Sequence, residues 1–255
     1  KVIACASGTD ALIIPMMGLQ LTREDAVFIP GFTYNATANA VLIAGATPVF
    51  VDVDPETFNI CPKDLAAKIE QVKTEGRLNP RVIVPVDLFG LPADYPAIHR
   101  LAEEHDLLVL ADAAQSFGGR QNNRWVGDLA PVTGTSFFPG KALGAYGDAG
   151  AIFVQSDDMA ELCESIRWHG TDAQRAESVR VGLNGRLDTF QAAVLLEKLG
   201  IFYDELEARK KIAAIYQDQL ADIAAVQGGY DGTENGYGYF TIQIDNRDDI
   251  REKFS

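Results

Sequence analysis

The stretch RVIVPVDLFGLPADYPAIHRLAEEHDLLVLADA, residues 81–113, decides the fold. It opens with an apolar run (RVIVPVDLF, 81–89), passes through a segment of helical period (Tyr95–His105) and ends in a second apolar run (LLVLADA, 107–113). Short runs rich in valine, leucine and isoleucine are typical of buried parallel strands, which need a crossover helix between them. The stretch therefore predicts a βαβ unit.

The same alternation extends along the chain in both directions. Further strands are predicted at Val2–Cys5, AVFIP (26–30), TPVFVDV (47–53), VTGTSFF (132–138) and AIFVQS (151–156), and further helices at Asp10–Leu21, Ala36–Ala44, Pro62–Lys73 and Met159–His169. Such alternation predicts an α/β fold with a doubly wound, mostly parallel sheet. Ligands of these sheets bind at the carboxyl ends of the strands.

A different pattern begins after the last of these helices. A long helical signal covers Leu187–Ile223, as one helix or as two with a bend near Gly200. A glycine-rich turn region (228–239), a strand (YFTIQID, 239–245) and a helix (Arg247–Phe254) follow it.

This change divides the chain. We predict a large ligand-binding domain over residues 1–200, and a linking helix with the start of a smaller α+β domain over residues 201–255. The chain opens without methionine and closes inside a helical pattern, so we expect it to be cut at both ends.

Composition excludes several classes of function. The chain is 47% hydrophobic and carries a net charge of −14, from 22 Lys and Arg against 36 Asp and Glu, which argues against binding to nucleic acid or to membrane surfaces. It has no apolar run of membrane length. Its three cysteines form no disulfide pattern, which fits a reducing cytoplasm, and its three histidines lack metal-ligand spacing, so no metal is expected.

Two strand ends carry candidate ligand-binding residues. In ASGTDAL a strand runs into Gly8 and Thr9 at a helix start, where free N–H groups and the helix dipole can bind phosphate, although an ordinary N-cap explains the pattern too. Asp112 directly follows a buried strand, with Gln115 three residues on. A carboxylate there needs a cation or hydrogen-bond donors, unless it caps a following helix.

Lys141 lies between an apolar run and a glycine-rich turn, in SFFPGKALGAYGDAGAIF (136–153). A lysine shielded from water can serve as a neutral amine for a Schiff base, and the alternative is a solvated surface lysine. A phosphate site, an acid and a lysine are together the groups that pyridoxal 5′-phosphate requires.

The motifs as a set resemble those of the DegT/DnrJ/EryC1/StrS sugar aminotransferases, which have the type I fold of pyridoxal-phosphate enzymes. The resemblance covers nearly the whole chain and rests on ASGTDAL, PGFTYNATANAVLIAGATPVFVDVDPETFNI, VLADAAQSFGG, TSFFPGKALGAYGDAGAIF, RWHGTD and VGLNGRLDTFQAAVLLEKL.

The resemblance implies a role for each matching residue. Lys141 would be the Schiff-base lysine and proton shuttle, Asp112 would pair with the pyridine nitrogen, and Gln115 would bond to the phenolic oxygen. Tyr34 would stack on the cofactor ring, and its alternative is a place in the core. Ser136 would hold the phosphate together with the two residues at the first helix start.

Two further roles implied by the resemblance involve a second subunit. Asn184 would reach the cofactor phosphate of the neighbouring subunit, and Arg186 would face its substrate, so the protein would be a homodimer with shared sites. Some relatives are sugar dehydrases with histidine at the position of Lys141, so the lysine here favours transamination. His169 is expected to be structural.

The resemblance implies amino transfer from L-glutamate to a keto nucleotide sugar, in bacterial surface-polysaccharide synthesis such as that of lipopolysaccharide O-antigen. It favours a 3-keto sugar, while relatives acting on C4 share nearly all the motifs. The rival readings are another pyridoxal-phosphate enzyme, such as a lyase, and a non-catalytic regulatory protein that binds the cofactor.

Overall fold

The computed structural model describes residues 1–254. Its strands are β1 (Val2–Cys5), β2 (Asp25–Pro30), β3 (Thr47–Val51), β4 (Asn79–Ile83), β5 (Leu108–Asp112), β6 (Arg120–Gln121), β7 (Arg124–Trp125), β8 (Val132–Ser136), β9 (Gly150–Val154), β10 (Ala225–Val226), β11 (Thr233–Glu234) and β12 (Ile242–Gln243). Its helices are α1 (Gly8–Gly18), α2 (Ala36–Ile43), α3 (Pro62–Glu75), α4 (Tyr95–Glu104), α5 (Asp157–Arg167), α6 (Thr189–Leu199), α7 (Phe202–Leu220) and α8 (Arg247–Phe254).

The main sheet has seven strands in the order β1-β9-β8-β5-β4-β2-β3. Neighbours from β8 to β3 pair in parallel, as predicted, whereas β9 runs antiparallel to both β8 and β1. The prediction of a buried parallel strand at 151–156 was therefore wrong in direction. No helix lies between β8 and β9, and without a crossover helix the chain returns alongside the strand it has just left.

Both faces of this sheet are buried, which makes the fold doubly wound. Along β2, Val27 and Ile29 pack into a core with α1, α2 and α5, while Phe28 packs into a second core with α3 and α4. Successive side chains of a strand point to opposite faces, so continuous apolar runs supply both cores. The α/β prediction is confirmed, and helices pack on both faces of the sheet that carries the strand ends.

The long helical signal divides into two helices, α6 and α7, at Gly200. The bend that the sequence left open is therefore present. Asp188 caps the first of them, accepting from the backbone N–H of Phe190 at 2.9 Å. No helix within residues 1–254 combines the length and apolar character needed to cross a membrane.

The chain beyond α7 returns across the end of the main sheet. Its strand is shorter than the predicted 239–245, because Tyr239 directs its backbone N–H to the carbonyl of Phe89 and regular pairing covers only Ile242–Gln243. Gly236 donates to the carbonyl of Gly90 at 2.9 Å. The segment 235–239 therefore packs against the loop that follows β4.

Candidate active site

Three strand ends place the candidate residues at one edge of the sheet. Asp112 is the last residue of β5, Ser136 is the last residue of β8, and Gly8 begins the helix that follows β1. Asp112 pairs with Gly134 of β8 in the parallel ladder, two residues before Ser136. The geometry therefore brings the predicted acid and phosphate-binding groups to the same side of the molecule.

The start of α1 and the end of β8 form a close-fitting cradle. A Cβ added to Gly8 would lie 2.5 Å from the Cβ of Ser136, so only glycine leaves room there. Ser7 is the N-cap residue, and its hydroxyl accepts from the N–H of Asp10 at 3.0 Å. The ordinary N-cap alternative is therefore present in the structure. Among residues 1–254, the N–H groups of Gly8 and Thr9 find no acceptor, as at any helix start, and they remain able to bind an anion.

Asp112 is 5% exposed, and its burial raises the pKa of the carboxyl group. Three groups act in the opposite direction: the Thr37 hydroxyl donates to Oδ2 at 2.8 Å, the Ala114 N–H donates to Oδ1 at 3.2 Å, and Lys141 contributes its positive charge. The chain after Asp112 enters a turn, so the alternative of a helix cap was wrong. The carboxylate faces a cation and donors, as a buried acid requires.

Thr37 was missed by the sequence reading. It lies in the first turn of α2 and is fully buried. Its hydroxyl oxygen lies 3.2 Å from the hydroxyl oxygen of Thr33, within hydrogen-bond distance. Because the proton of Thr37 goes to Asp112, the hydroxyl of Thr33 is the donor of that second bond. A threonine in a helix start is common, and nothing in the sequence spacing ties it to a residue 75 positions later.

The side-chain amide of Gln115 makes one hydrogen bond, through its oxygen. Its Oε1 accepts from the backbone N–H of Phe89 at 2.7 Å, which leaves Nε2 as the free end and therefore as a donor. Phe89 has φ 61°, in the left-handed region that costs a residue with a side chain about 1–2 kcal/mol. The bond to Gln115 is one of the contacts that hold this conformation.

Lys141 is half-buried in the loop between β8 and β9. Its backbone N–H donates to the carbonyl of Phe138 at 2.9 Å, and its Nζ lies 5.7 Å from the ring centroid of Tyr239. Lys141 is therefore not the fully solvated surface lysine of the alternative interpretation. Tyr239 is a second residue that sequence reasoning missed, because only the return of segment 235–239 brings it to this loop.

The remaining predicted residues make no described hydrogen bond with Lys141 or Asp112. Tyr34 is 71% exposed, so its alternative as a core residue was wrong and its ring is free to contact a ligand. Asn184 accepts two hydrogen bonds from Arg186 through Oδ1, at 2.9 and 2.6 Å, and the Arg186 guanidinium lies 4.3 Å from the ring centroid of Trp168. Within one chain these two residues bind each other and do not join Lys141 and Asp112.

A cavity of about 1040 Å³ adjoins the site on the side of Phe89. Phe32 and Phe58 also line it, and the three phenylalanine rings meet edge to face with centroids 6.0–6.3 Å apart. Residues 221–225 and 241–245 form its other wall. An aromatic surface of this kind suits a ligand with apolar faces.

The fold and this grouping of residues define an aminotransferase of a known family. The pattern of the DegT/DnrJ/EryC1/StrS aminotransferase family matches residues 1–255, and the chain belongs to that family.

Two curated relatives illustrate its range. UDP-2-acetamido-2-deoxy-3-oxo-D-glucuronate aminotransferase of Pseudomonas aeruginosa is 43% identical over 250 residues, which are 98% of this chain and 67% of the relative. The pleiotropic regulatory protein of Geobacillus stearothermophilus is 39% identical over 253 residues, which are 98% of this chain and 66% of the relative. The chain thus spans about two thirds of the length of these relatives.

Solved structures agree. A DegT DnrJ EryC1 StrS aminotransferase from Brucella abortus superposes with a TM-score of 0.97 at 46% identity, covering 99% of this chain and 68% of the other. NtdA from Bacillus subtilis with bound cofactor PMP superposes with a TM-score of 0.84 at 32% identity, covering 98% of this chain and 56% of the other.

Proposed function

We propose that this protein is a pyridoxal 5′-phosphate-dependent aminotransferase that passes an amino group from L-glutamate to a keto nucleotide sugar. The observation that carries the proposal is the buried carboxylate of Asp112 at the end of β5, within reach of the positive charge of Lys141, at the same sheet edge as a helix start with two free N–H groups. Family membership and the PMP-bound relative support the same cofactor.

The residues present fit that cofactor. Gly8, Thr9 and Ser136 would hold its phosphate in the cradle that only a glycine keeps open. Asp112 would bind the pyridine N–H, and Nε2 of Gln115 would donate to the phenolic oxygen. When bound, pyridoxal phosphate acts as an electron sink that stabilises a carbanion at the substrate carbon.

The chain's own groups then supply binding and proton transfer. The ionised Asp112 keeps the ring nitrogen protonated, because a buried carboxylate beside a cation favours a charge pair over two neutral groups. The amine of Lys141 would hold the aldehyde carbon in the resting enzyme. Once released, the same amine would take the proton from Cα of the amino donor and deliver it to C4′ of the cofactor. Tyr34, exposed beside the site, would cover one face of the ring.

The sugar is proposed from the relatives. The name of the Pseudomonas aeruginosa protein specifies a 3-oxo sugar, which favours UDP-2-acetamido-2-deoxy-3-oxo-glucuronate as the acceptor here. A C4-keto nucleotide sugar is the alternative. Mass spectrometry and NMR of the amino-sugar product would distinguish the two positions.

The assembly and setting belong to the same proposal. Asn184 and Arg186 would exchange their mutual bond for contacts with the partner's cofactor phosphate and substrate in a homodimer. Exposed apolar side chains such as Val181 and Phe190, 80% and 82% exposed, lie near them and favour an interface there. The enzyme would act in the cytoplasm, in the synthesis of bacterial surface polysaccharide such as O-antigen.

The test is the visible absorption spectrum of the full-length protein with pyridoxal phosphate, before and after L-glutamate is added. We expect a cofactor band that glutamate bleaches. A band that glutamate leaves unchanged would indicate a lyase or a regulatory protein, and the absence of any band would refute the reading of Lys141.

A lysine variant sharpens the test. Lys141→Arg should lose both the band and turnover, because arginine keeps the charge but is never a neutral nucleophile. Lys198→Arg is the matched control, since Lys198 donates to the carbonyl of Gly144 at 2.6 Å in the same loop region and takes no part in the proposed chemistry. Turnover that survives in Lys141→Arg would contradict the mechanism.

A further inference from the structure

A second buried carboxylate, Asp87, lies directly behind the candidate site. It is fully buried, in the segment that continues β4 towards the active-site edge. Its Oδ1 accepts from the N–H of Ala93 and the hydroxyl of Tyr95, both at 2.9 Å, and its Oδ2 accepts from the hydroxyl of Ser116 at 2.8 Å. One carboxylate thus joins the start of α4 to the turn after β5.

The same segment holds the backbone of Asp112. The N–H of Asp112 donates to the carbonyl of Pro85 at 2.8 Å, and the N–H of Asp87 donates to the carbonyl of Asp112 at 3.0 Å. These two bonds extend the β4–β5 pairing past the regular ladder, which ends at Ile83. Any shift of residues 85–87 would therefore move Asp112 with them.

The segment also holds Gln115. Two residues after Asp87, the N–H of Phe89 fixes Oε1 of Gln115, and Ser116 next to Gln115 is bonded to the Asp87 carboxylate. Phe89 keeps a left-handed backbone, which relaxes unless its neighbours hold it. Asp87 therefore anchors from behind the two residues that would contact the ring nitrogen and the phenolic oxygen.

Burying a carboxylate costs more desolvation free energy than burying a neutral side chain that could accept the same hydrogen bonds. The pKa of Asp87 is raised to about 7 as the net result of several causes: burial raises it most, the bonds from Ala93, Ser116 and Tyr95 lower it, and the nearby charge of Asp112 raises it. The titratable groups facing it are Tyr95, whose pKa is raised well above its ordinary value, and Asp112, which also feels Lys141. Asp87 consequently gains or loses its negative charge near neutral pH. Tyr95 and Asp112 are the two titratable groups beside it.

We propose that Asp87 is a positioning residue for the reaction proposed above: its ionised carboxylate holds residues 85–89 so that Asp112 and Gln115 meet the cofactor. This inference rests on the proposed function. When Asp87 is protonated, one of its oxygens no longer accepts as a carboxylate does, and the second negative charge behind Asp112 is lost. Both changes would weaken the binding of a protonated pyridine ring by Asp112 and Gln115.

The experiment compares Asp87→Asn with the wild type by titration with pyridoxal phosphate, followed by visible absorption across the neutral pH range. Asparagine keeps the shape and can still accept two bonds, but it never ionises. In the wild type the affinity should rise between about pH 6 and pH 8 as Asp87 ionises. In the variant the affinity should be about tenfold lower at the upper pH, the loss expected for one charged hydrogen bond, and the Asp87 step should vanish.

Asp94→Asn is the matched control. Asp94 lies in the same loop and caps α4 by accepting from the N–H of Ala97 at 3.1 Å, a role that asparagine performs equally well. It should bind pyridoxal phosphate like the wild type and keep the pH step. A merely structural role for Asp87 would lower the melting temperature and leave that step in place.

The outcomes separate the two proposals. No cofactor band in the wild type would refute the proposed function and this inference with it. A normal wild-type band, with Asp87→Asn matching it in affinity and pH dependence, would overturn the role of Asp87 alone. If circular dichroism shows that Asp87→Asn is unfolded, Ser116→Ala decides, because it removes only the donor to Oδ2 and should also lower the affinity; an unchanged affinity there would overturn the inference.

Discussion

Replacing Thr37 by valine would remove one hydrogen bond from the buried Asp112 while leaving the side-chain shape at position 37 almost unchanged. Valine has nearly the same shape as threonine, and Thr37 is fully buried, so the methyl group that replaces the hydroxyl occupies the same space. Asp112 would keep the N–H of Ala114 and the charge of Lys141. The perturbation therefore removes the bond of 2.8 Å between Thr37 Oγ1 and Asp112 Oδ2, together with the acceptor of the partly buried Thr33 hydroxyl.

The magnitude follows from the charge on the acceptor. A hydrogen bond to a charged group contributes about 1.5–3 kcal/mol. Its loss raises the pKa of Asp112 in the folded protein by about 1–2 units, since one unit corresponds to about 1.4 kcal/mol. A folded-state pKa raised above the unfolded value gives stability that is lost as pH rises, so Thr37→Val should be destabilised most at high pH. The difference from the wild type should shrink on acidification, as Asp112 becomes protonated in both proteins.

Urea unfolding at several pH values measures this difference. Thr135→Val is the matched control, because Thr135 is equally buried and donates at 2.9 Å to the neutral carbonyl of Ala113. It should lose about 0.5–1.5 kcal/mol at every pH. Thr37→Ser retains the hydroxyl and should lose stability without the pH dependence. A loss in Thr37→Val that is small, or as constant with pH as that of Thr135→Val, would refute the reasoning about Asp112.

Two further predictions concern glycine and cysteine. Gly8→Ala should weaken pyridoxal phosphate binding by about tenfold or more in the absorption titration, because its Cβ would lie 2.5 Å from a serine Cβ at the end of β8. Gly18→Ala in the same helix is the control. Its Cβ would meet the flexible tip of a leucine side chain at the same distance, so this variant should bind normally. In a thiol-labelling assay of the native protein at pH 8, only Cys61 should react, because burial raises the pKa of Cys5 and Cys163 to about 12; rapid labelling of all three would contradict this burial.

Much of the fold was predictable because the strands are apolar on both faces. Residues 81–113 predicted strand, helix and strand, and the structure has all three in β4, α4 and β5. The direction of β9 was missed although the sequence contains the signal for it, because no helix is predicted between residues 138 and 151 and a parallel neighbour needs a crossover helix. The strand at 239–245 was overestimated because the backbone N–H of Tyr239 bonds to Phe89, a contact that local sequence does not encode.

The candidate site was predictable where a residue follows a strand directly. Asp112 and Gly8 stand at such positions, and the structure brings them to one edge. Thr37, Asp87 and Tyr239 were missed because their importance lies in contacts across the fold: Thr37 precedes Asp112 by 75 residues, and Asp87 precedes Ser116 by 29. A buried polar residue looks like any other until its partner is known.

The pairing of β1 with β9 also determines when this part of the sheet can form during translation. Val2 lies beside Phe153 in the sheet, so β1 waits for about 150 further residues before it finds its neighbour. At ribosomal rates of about 5–20 residues per second, β1 is unpaired for roughly ten seconds or more. The phosphate cradle at the end of β1 therefore forms late, and segment 235–239 closes against Gly90 later still. A nascent chain stalled before residue 150 would expose an unpaired sheet edge to chaperones and could bind no cofactor.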